Sequence, residues 1–240
     1  LEIEGARKSG ESYHRFIERR PVQFMILSIV ANLIGGIVEI VPTYLIKSNI
    51  PTIATVKPYT PLELHGRDIY IKEGCYTCHS QMIRPFRSET ERYGEYSKAG
   101  EYVYDHPFQW GSKRIGPDLW REGVKSGPLY KPNSWHYNHL MDPQKINAQS
   151  IMPKYPWLAK SEIDIESTPA KIRVMQQLGV PYPEGYDLKA NDDVKAQAEK
   201  IAAGLRAEGI DITASKQVIA LIAYIQRLGT DVGDSKTASK

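Results

Sequence analysis

The sequence is poor in cysteine, in net charge and in long apolar runs, and each shortage excludes something. Its two cysteines, Cys75 and Cys78, are too few and too close together to frame a disulfide-stapled secreted domain. They need another use. A net charge of +3, from 31 basic residues dispersed among 28 acidic ones, gives no case for nucleic-acid binding. With 41% hydrophobic and 25% charged residues, the composition is near the globular average, which excludes wholesale disorder and a polytopic membrane protein. The 240 residues leave room for one full domain and an appendage rather than two large enzyme domains. No internal repeat is present, and the sequence begins on Leu1 rather than methionine, which reads as a trimmed start.

The one long apolar run, VQFMILSIVANLIGGIVEIVPTYLI from Val22 to Ile46, contains Glu39 as its only formal charge. At the rise of an α-helix it covers about 37 Å, enough to cross a hydrocarbon core of about 30 Å. A secretory signal would be shorter and would end in small residues, which Pro42-Thr43-Tyr44 does not offer. Arg7, Lys8, Arg15, Arg19 and Arg20 precede the span, while Lys47 alone follows it closely. The positive-inside rule then places the N-terminus in the cytoplasm and everything after Ile46 on the outer face. Ser28, Asn32, Gly35, Gly36, Glu39 and Thr43 recur at helical steps and form a small and polar stripe. Such a stripe in lipid normally faces a protein partner, although Glu39 near the outer interface can also snorkel.

The expected organisation is a cytoplasmic segment over 1–20, a transmembrane helix over 21–46, a linker over 47–60, an exported domain over 61–230 and a tail over 231–240. Thr60-Pro61-Leu62-Glu63 spells a capping box with proline at the first helical position, so a helix starts there and runs toward Gly74. Helices are also expected over Thr168–Leu178, closed by Gly179, over Asp192–Gly204, and over Ser215–Leu228. In the last of these Val218, Ile219, Leu221, Ile222, Ile225 and Leu228 share one face, and Gly229 stops it. Between Ser80 and Lys160 the chain is rich in Gly, Pro, Tyr and Trp without periodicity, as in long loops that build a site.

Cys75-Tyr76-Thr77-Cys78-His79 is a C-x-x-C-H motif, whose thiols can each form a thioether to a haem vinyl group while the histidine ligates the iron. A thioredoxin-like dithiol needs neither His79 nor this context. A zinc site from Cys75, Cys78, His136 and His139 would need an unusually tight H-x2-H pair. The second axial ligand is assigned to Met152, on the proline-flanked loop Ser150–Tyr155. Met82 is too near His79, Met175 lies in an amphipathic helix and Met25 in the span, while Met141, His136 and His139 stay eligible. Two axial side chains leave no open iron position, so the haem carries electrons rather than binding oxygen.

Arg114-Ile115-Gly116-Pro117-Asp118-Leu119 resembles the G-P-x-L segment of class I cytochromes c, and that resemblance makes the Pro117 carbonyl the acceptor that orients His79. Arg84, Arg87 and Arg114, with Trp110, Tyr155 and Trp157, are candidates to contact the haem propionates. The fold expected is mainly α, one N-terminal transmembrane helix plus a class I cytochrome c-like domain with long loop insertions.

Together with the anchor, Glu63–Ser80, GCYTCHSQMIRP and the Ser150–Leu158 loop, the chain resembles the mono-haem cytochrome c subunit, subunit II, of cbb3-type cytochrome c oxidases over nearly its whole length. The resemblance implies one covalently bound haem c with His/Met ligation in a single-pass protein of the bacterial inner membrane, its haem domain periplasmic. It implies docking on a polytopic catalytic subunit with b-type haems and copper, and electron transfer from a di-haem cytochrome c subunit to the low-spin haem b. Oxygen reduction to water and proton pumping would belong to the catalytic partner, and this subunit would carry no oxygen-reducing site of its own. Three other readings compete: the cytochrome c subunit of a nitric oxide reductase, disfavoured by the long segment from Ser80 to Ser150; a free membrane-tethered shuttle, disfavoured by the short linker and polar stripe; and a haem peroxidase, which needs an open iron position.

Overall fold

A computed structural model describes residues 13–233. Arg7 and Lys8, and the tail from 234 onward, lie outside the described residues. Among those residues the regular structure is helical, with one isolated antiparallel bridge between Glu162 and Lys216. The helices in chain order are α1 Tyr13–Glu18, α2 Pro21–Leu45, α3 Pro61–Lys72, α4 Arg87–Tyr93, α5 Asn133–Met141, α6 Pro143–Ile146, α7 Thr168–Gln177, α8 Ala190–Ala207, α9 Gln217–Arg227 and α10 Thr230–Gly233. The mainly α architecture expected from the sequence is the one found. The chain divides into two compact units, with the boundary between Pro51 and Thr52.

The first unit is dominated by α2, whose Pro21–Thr43 stretch has a mean hydropathy of 2.3 and is long and apolar enough to cross a membrane. Pro21 at the first helical turn starts it, where a missing N–H costs nothing. Its apolar side chains, among them Ile26, Leu33, Ile37 and Ile40, are exposed rather than packed on a core. Asn32 Nδ2 donates to the Ser28 carbonyl at 2.9 Å and Thr43 Oγ1 to the Glu39 carbonyl at 3.1 Å, so both satisfy themselves on their own helix. Gly35 and Gly36 have open space beside them, and the Glu39 side chain is exposed.

In the second unit α3 starts at the expected capping box. Thr60 Oγ1 accepts from the Glu63 N–H at 3.4 Å, and the Glu63 carboxylate accepts from the Thr60 N–H at 2.7 Å. Its most extensive contacts are with α9. The two backbones approach so closely at Gly66 that a Cβ there would sit 2.0 Å from the Ala220 carbonyl oxygen and 2.6 Å from Tyr224 Cβ. Val218, Ile219, Leu221, Ile222 and Leu228 are all buried to within about one per cent of completely. Each such side chain stabilises the fold by about 1.5–3 kcal/mol relative to exposure.

The helix α9 is broader in its burial than its periodicity indicates, since Ala220, Ala223 and Tyr224 are buried with the expected face. Tyr224 is close-packed between Tyr59 and Tyr70, with ring centroids 5.6 and 5.5 Å away. Helices α7 and α8 complete the core through Ile172, Met175, Val194, Ala198, Ala202 and Leu205. Between Ser80 and Lys160 the chain forms short helices and turns; α5, at nine residues, is the longest element there. Its mixture of Trp135, His136 and His139 with polar residues explains why helical periodicity does not reveal it.

Candidate functional site

Helix α3 ends at Lys72, and after Glu73 the chain turns through Gly74, which takes φ 71°, into a 3₁₀ turn over Cys75–Thr77. The turn is closed by bonds from Thr77 N to the Gly74 carbonyl at 3.0 Å and from His79 N to the Cys75 carbonyl at 2.9 Å. Both thiols thus lie on one compact turn; they are free, and each is partly accessible. Burial, with Glu73 adding to it, pushes the Cys75 thiol up to about 12. That is opposite to the lowered pKa a dithiol redox centre requires.

His79 is held by the segment 114–119. Its Nδ1 lies 2.8 Å from the Pro117 carbonyl oxygen. A carbonyl only accepts, so Nδ1 carries the proton and Nε2 keeps a free lone pair. Burial lowers the His79 pKa from its ordinary value, against the opposing influence of Pro117 and Asp118, which keeps the ring in the neutral form a metal needs. Gly116 lies against the ring: a Cβ there would be 2.3 Å from His79 Cε1. Two main-chain bonds, Gly116 N to Cys78 O at 3.0 Å and Leu119 N to Ser80 O at 2.9 Å, tie the two segments together.

The loop carrying Met152 is anchored at the same turn. Trp157 Nε1 donates to the Glu73 carboxylate at 3.1 Å, and Tyr155 N donates to the Leu140 carbonyl at 2.8 Å. Tyr155 stands 5.3 Å from Trp157, centroid to centroid, and its phenol pKa is raised by burial and by the nearby Cys75, Cys78 and Glu73. Met152 itself is partly buried against the core that also receives Cys75. His139 comes within electrostatic reach of His79, is stacked on Trp135 at 4.5 Å, and has a buried Nδ1 with no hydrogen-bond partner.

The remaining candidates are distributed differently. Arg114 directs its guanidinium to Glu89 at 2.6 Å, Ser80 Oγ at 2.7 Å and the Met82 carbonyl at 2.7 Å, and Arg84 bonds the same Glu89. This double pairing holds the Glu89 carboxyl at about 2, well below its usual range, against the cost of burial. Both arginines are thus already engaged by the protein. Arg87 pairs with Glu91 at 2.7 Å on the exposed face of α4. Trp110 is stacked on Phe108 at 4.5 Å, and its carbonyl accepts from Gln81 N at 2.8 Å.

Met175 is buried in the core from α7, and Met82 is fixed through its backbone; Met141 packs partly buried against the core, and Met25 is exposed on α2. His136 is buried 3.8 Å from Glu122. Among the described residues no three His, Cys, Asp or Glu side chains gather as they would for a zinc ion. The residue sequence reasoning missed is Asp118, which is completely buried and bonded to Ser80, Met82 and Trp120; its position inside the G-P-D-L run was the available signal.

The donor set is of the kind a covalently attached haem uses: two thiols on one turn, an imidazole with its free nitrogen set by a backbone carbonyl, a thioether on a loop tied to Glu73, and a second histidine within electrostatic reach of His79. A comparison with curated proteins finds no match. Residues 14–232 match the family model described as cytochrome c oxidase, mono-heme subunit/FixO, and the chain belongs to that family of oxidase subunits.

Proposed function

We propose that the second unit carries one haem c, bound through thioethers at Cys75 and Cys78, with His79 and Met152 as axial ligands. The observation that carries this reading is the His79 ring, fixed by Pro117 and Gly116 with Nε2 free, directly after a turn bearing two thiols. When bound, the haem supplies one-electron chemistry. The protein's part is to hold the imidazole neutral and oriented and to tie the 150–157 loop to Glu73 beside the same turn. Tyr155 and Trp157, on the loop tied to Glu73, are the candidates to contact the haem, whereas Arg84 and Arg114 act through the loops they brace.

Within an oxidase, such a subunit relays electrons from a di-haem cytochrome c partner to the low-spin haem b of a polytopic, copper-containing catalytic subunit, where oxygen becomes water. Helix α2 is the membrane anchor, with Arg15, Arg19 and Arg20 on the cytoplasmic side and the haem unit periplasmic. Asn32 and Thr43 being self-satisfied, Glu39 is the polar group on α2 that most needs a protein neighbour, beside the open surface at Gly35 and Gly36.

The test is gentle detergent extraction, a reduced-minus-oxidised spectrum and an oxygen-electrode assay on the purified assembly. A c-type band with haem b signals and oxygen uptake supports the relay. A c-type band alone, from intact material, would make the chain a tethered shuttle. The ligand assignment is tested in parallel: Met152→Ala should abolish the low-spin His/Met signature, whereas a bis-histidine signature in the wild type that is lost in His139→Ala would move the second ligand to α5.

A further inference from the structure

We propose that Asp118 is a positioning residue of the haem site, fixing the 114–119 loop so that Pro117 holds His79, and lowering the reduction potential of the iron with its buried charge. The proposal rests on the haem reading above. Asp118 is 0% exposed and accepts at both oxygens. Its Oδ2 receives Ser80 Oγ–H at 2.6 Å and Met82 N–H at 2.9 Å, and its Oδ1 receives Trp120 N–H at 2.8 Å. Arg114 Nε donates to Ser80 Oγ at 2.7 Å, which orients the serine hydrogen toward Asp118. Every neighbouring group therefore donates, the arrangement an ionised carboxylate requires, and these donors and Arg114 oppose the burial that raises the Asp118 pKa from its ordinary value.

The carboxylate bridges the two segments that make the proximal side. Ser80 directly follows His79, and Pro117, whose carbonyl holds the imidazole at 2.8 Å, directly precedes Asp118. The partner cation of Asp118, Arg114, is 3.4 Å away and shared with Glu89 at 2.6 Å. A fixed negative charge on the proximal side of an iron in a poorly polarisable interior favours the ferric over the ferrous state, and a firmly seated carbonyl acceptor acts in the same direction by making the imidazole more basic.

The experiment compares Asp118→Asn and Asp118→Glu in the full chain within its assembly, reading the haem midpoint potential by spectroelectrochemistry and covalent attachment by mass. Asp118→Asn is expected to raise the potential, changing the reduced-to-oxidised ratio at fixed ambient potential about tenfold, or about 59 mV for one electron. Asp118→Glu, which keeps the charge, should return it most of the way to wild type. A potential unchanged in Asp118→Asn with haem attached, or moved equally by both variants, overturns the proposal. Should Asp118→Asn fail to accumulate, Arg114→Gln decides: removing the cation is expected to lower the potential, and an unchanged or raised value overturns the assignment. A wild-type chain without covalent haem would overturn the haem reading instead.

Discussion

Gly66 and Gly116 each lie where a neighbour comes too close for a Cβ, yet they belong to regions held by different forces. At Gly66, α3 crosses α9 in an apolar interior, and the contact is backbone against backbone. At Gly116, a loop lies against the His79 ring, and the segment is fixed by main-chain bonds and the Asp118 clamp. The helix crossing is a scaffold whose energy is spread over many side chains. The loop contact is local, so the position of one imidazole depends on a few polar bonds. Damage should therefore be global in the first region and confined in the second.

The sharpest way to break this contrast is Gly66→Leu, which should separate α3 from α9 and cost more than about 4 kcal/mol, seen as loss of cooperative thermal unfolding and of haem incorporation. A variant that still melts cooperatively near wild type would mean the crossing is not the scaffold. Gly116→Ala should cost less, about 1–3 kcal/mol of overpacking, and should alter the low-spin visible spectrum while far-ultraviolet helicity stays intact. Equal losses of helicity in both variants would erase the distinction between scaffold and loop.

The smallest effect concerns the buried Glu122 beside His136. Burial raises the Glu122 carboxyl from its ordinary 4.5 to about 7, with Lys131 acting against it. A raised carboxyl pKa means the native state is favoured fully below about pH 4.5 and loses that advantage as pH rises through 7. Glu122→Gln should therefore gain about 2 kcal/mol over wild type at pH 8 and nothing at pH 4.5, measured by urea unfolding. His136, lowered to about 4 by its own burial, acts oppositely and weakens the fold as pH falls from 6.5 toward 4. A pH-independent difference would show that Glu122 is ionised in the native state.

The scaffold was largely legible in the sequence. Thr60 and Glu63 marked the start of α3, the apolar face from Val218 to Leu228 marked α9, and the uninterrupted run from Val22 marked α2, because capping and periodicity are local. The motif at Cys75–His79 and the Gly116-Pro117 pair were equally plain. What could not be read was α5, whose composition lacks apolar periodicity, and the engagement of Arg84 and Arg114 by Glu89. Nothing in the spacing of those residues says that a carboxylate 25 positions before Arg114 will meet it.

The sequence by itself determined the helical class, the apolar helix long enough to span a membrane and the chemistry available at Cys75, Cys78 and His79, since each follows from residues adjacent along the chain. Tertiary structure alone decided which nitrogen of His79 is free, that Gly116 must lack a side chain, and that Asp118 joins the loops behind it. Those features depend on contacts between residues about forty positions apart. Their geometry is fixed by the main-chain bonds and the Asp118 clamp that join the two segments, and local sequence does not encode it.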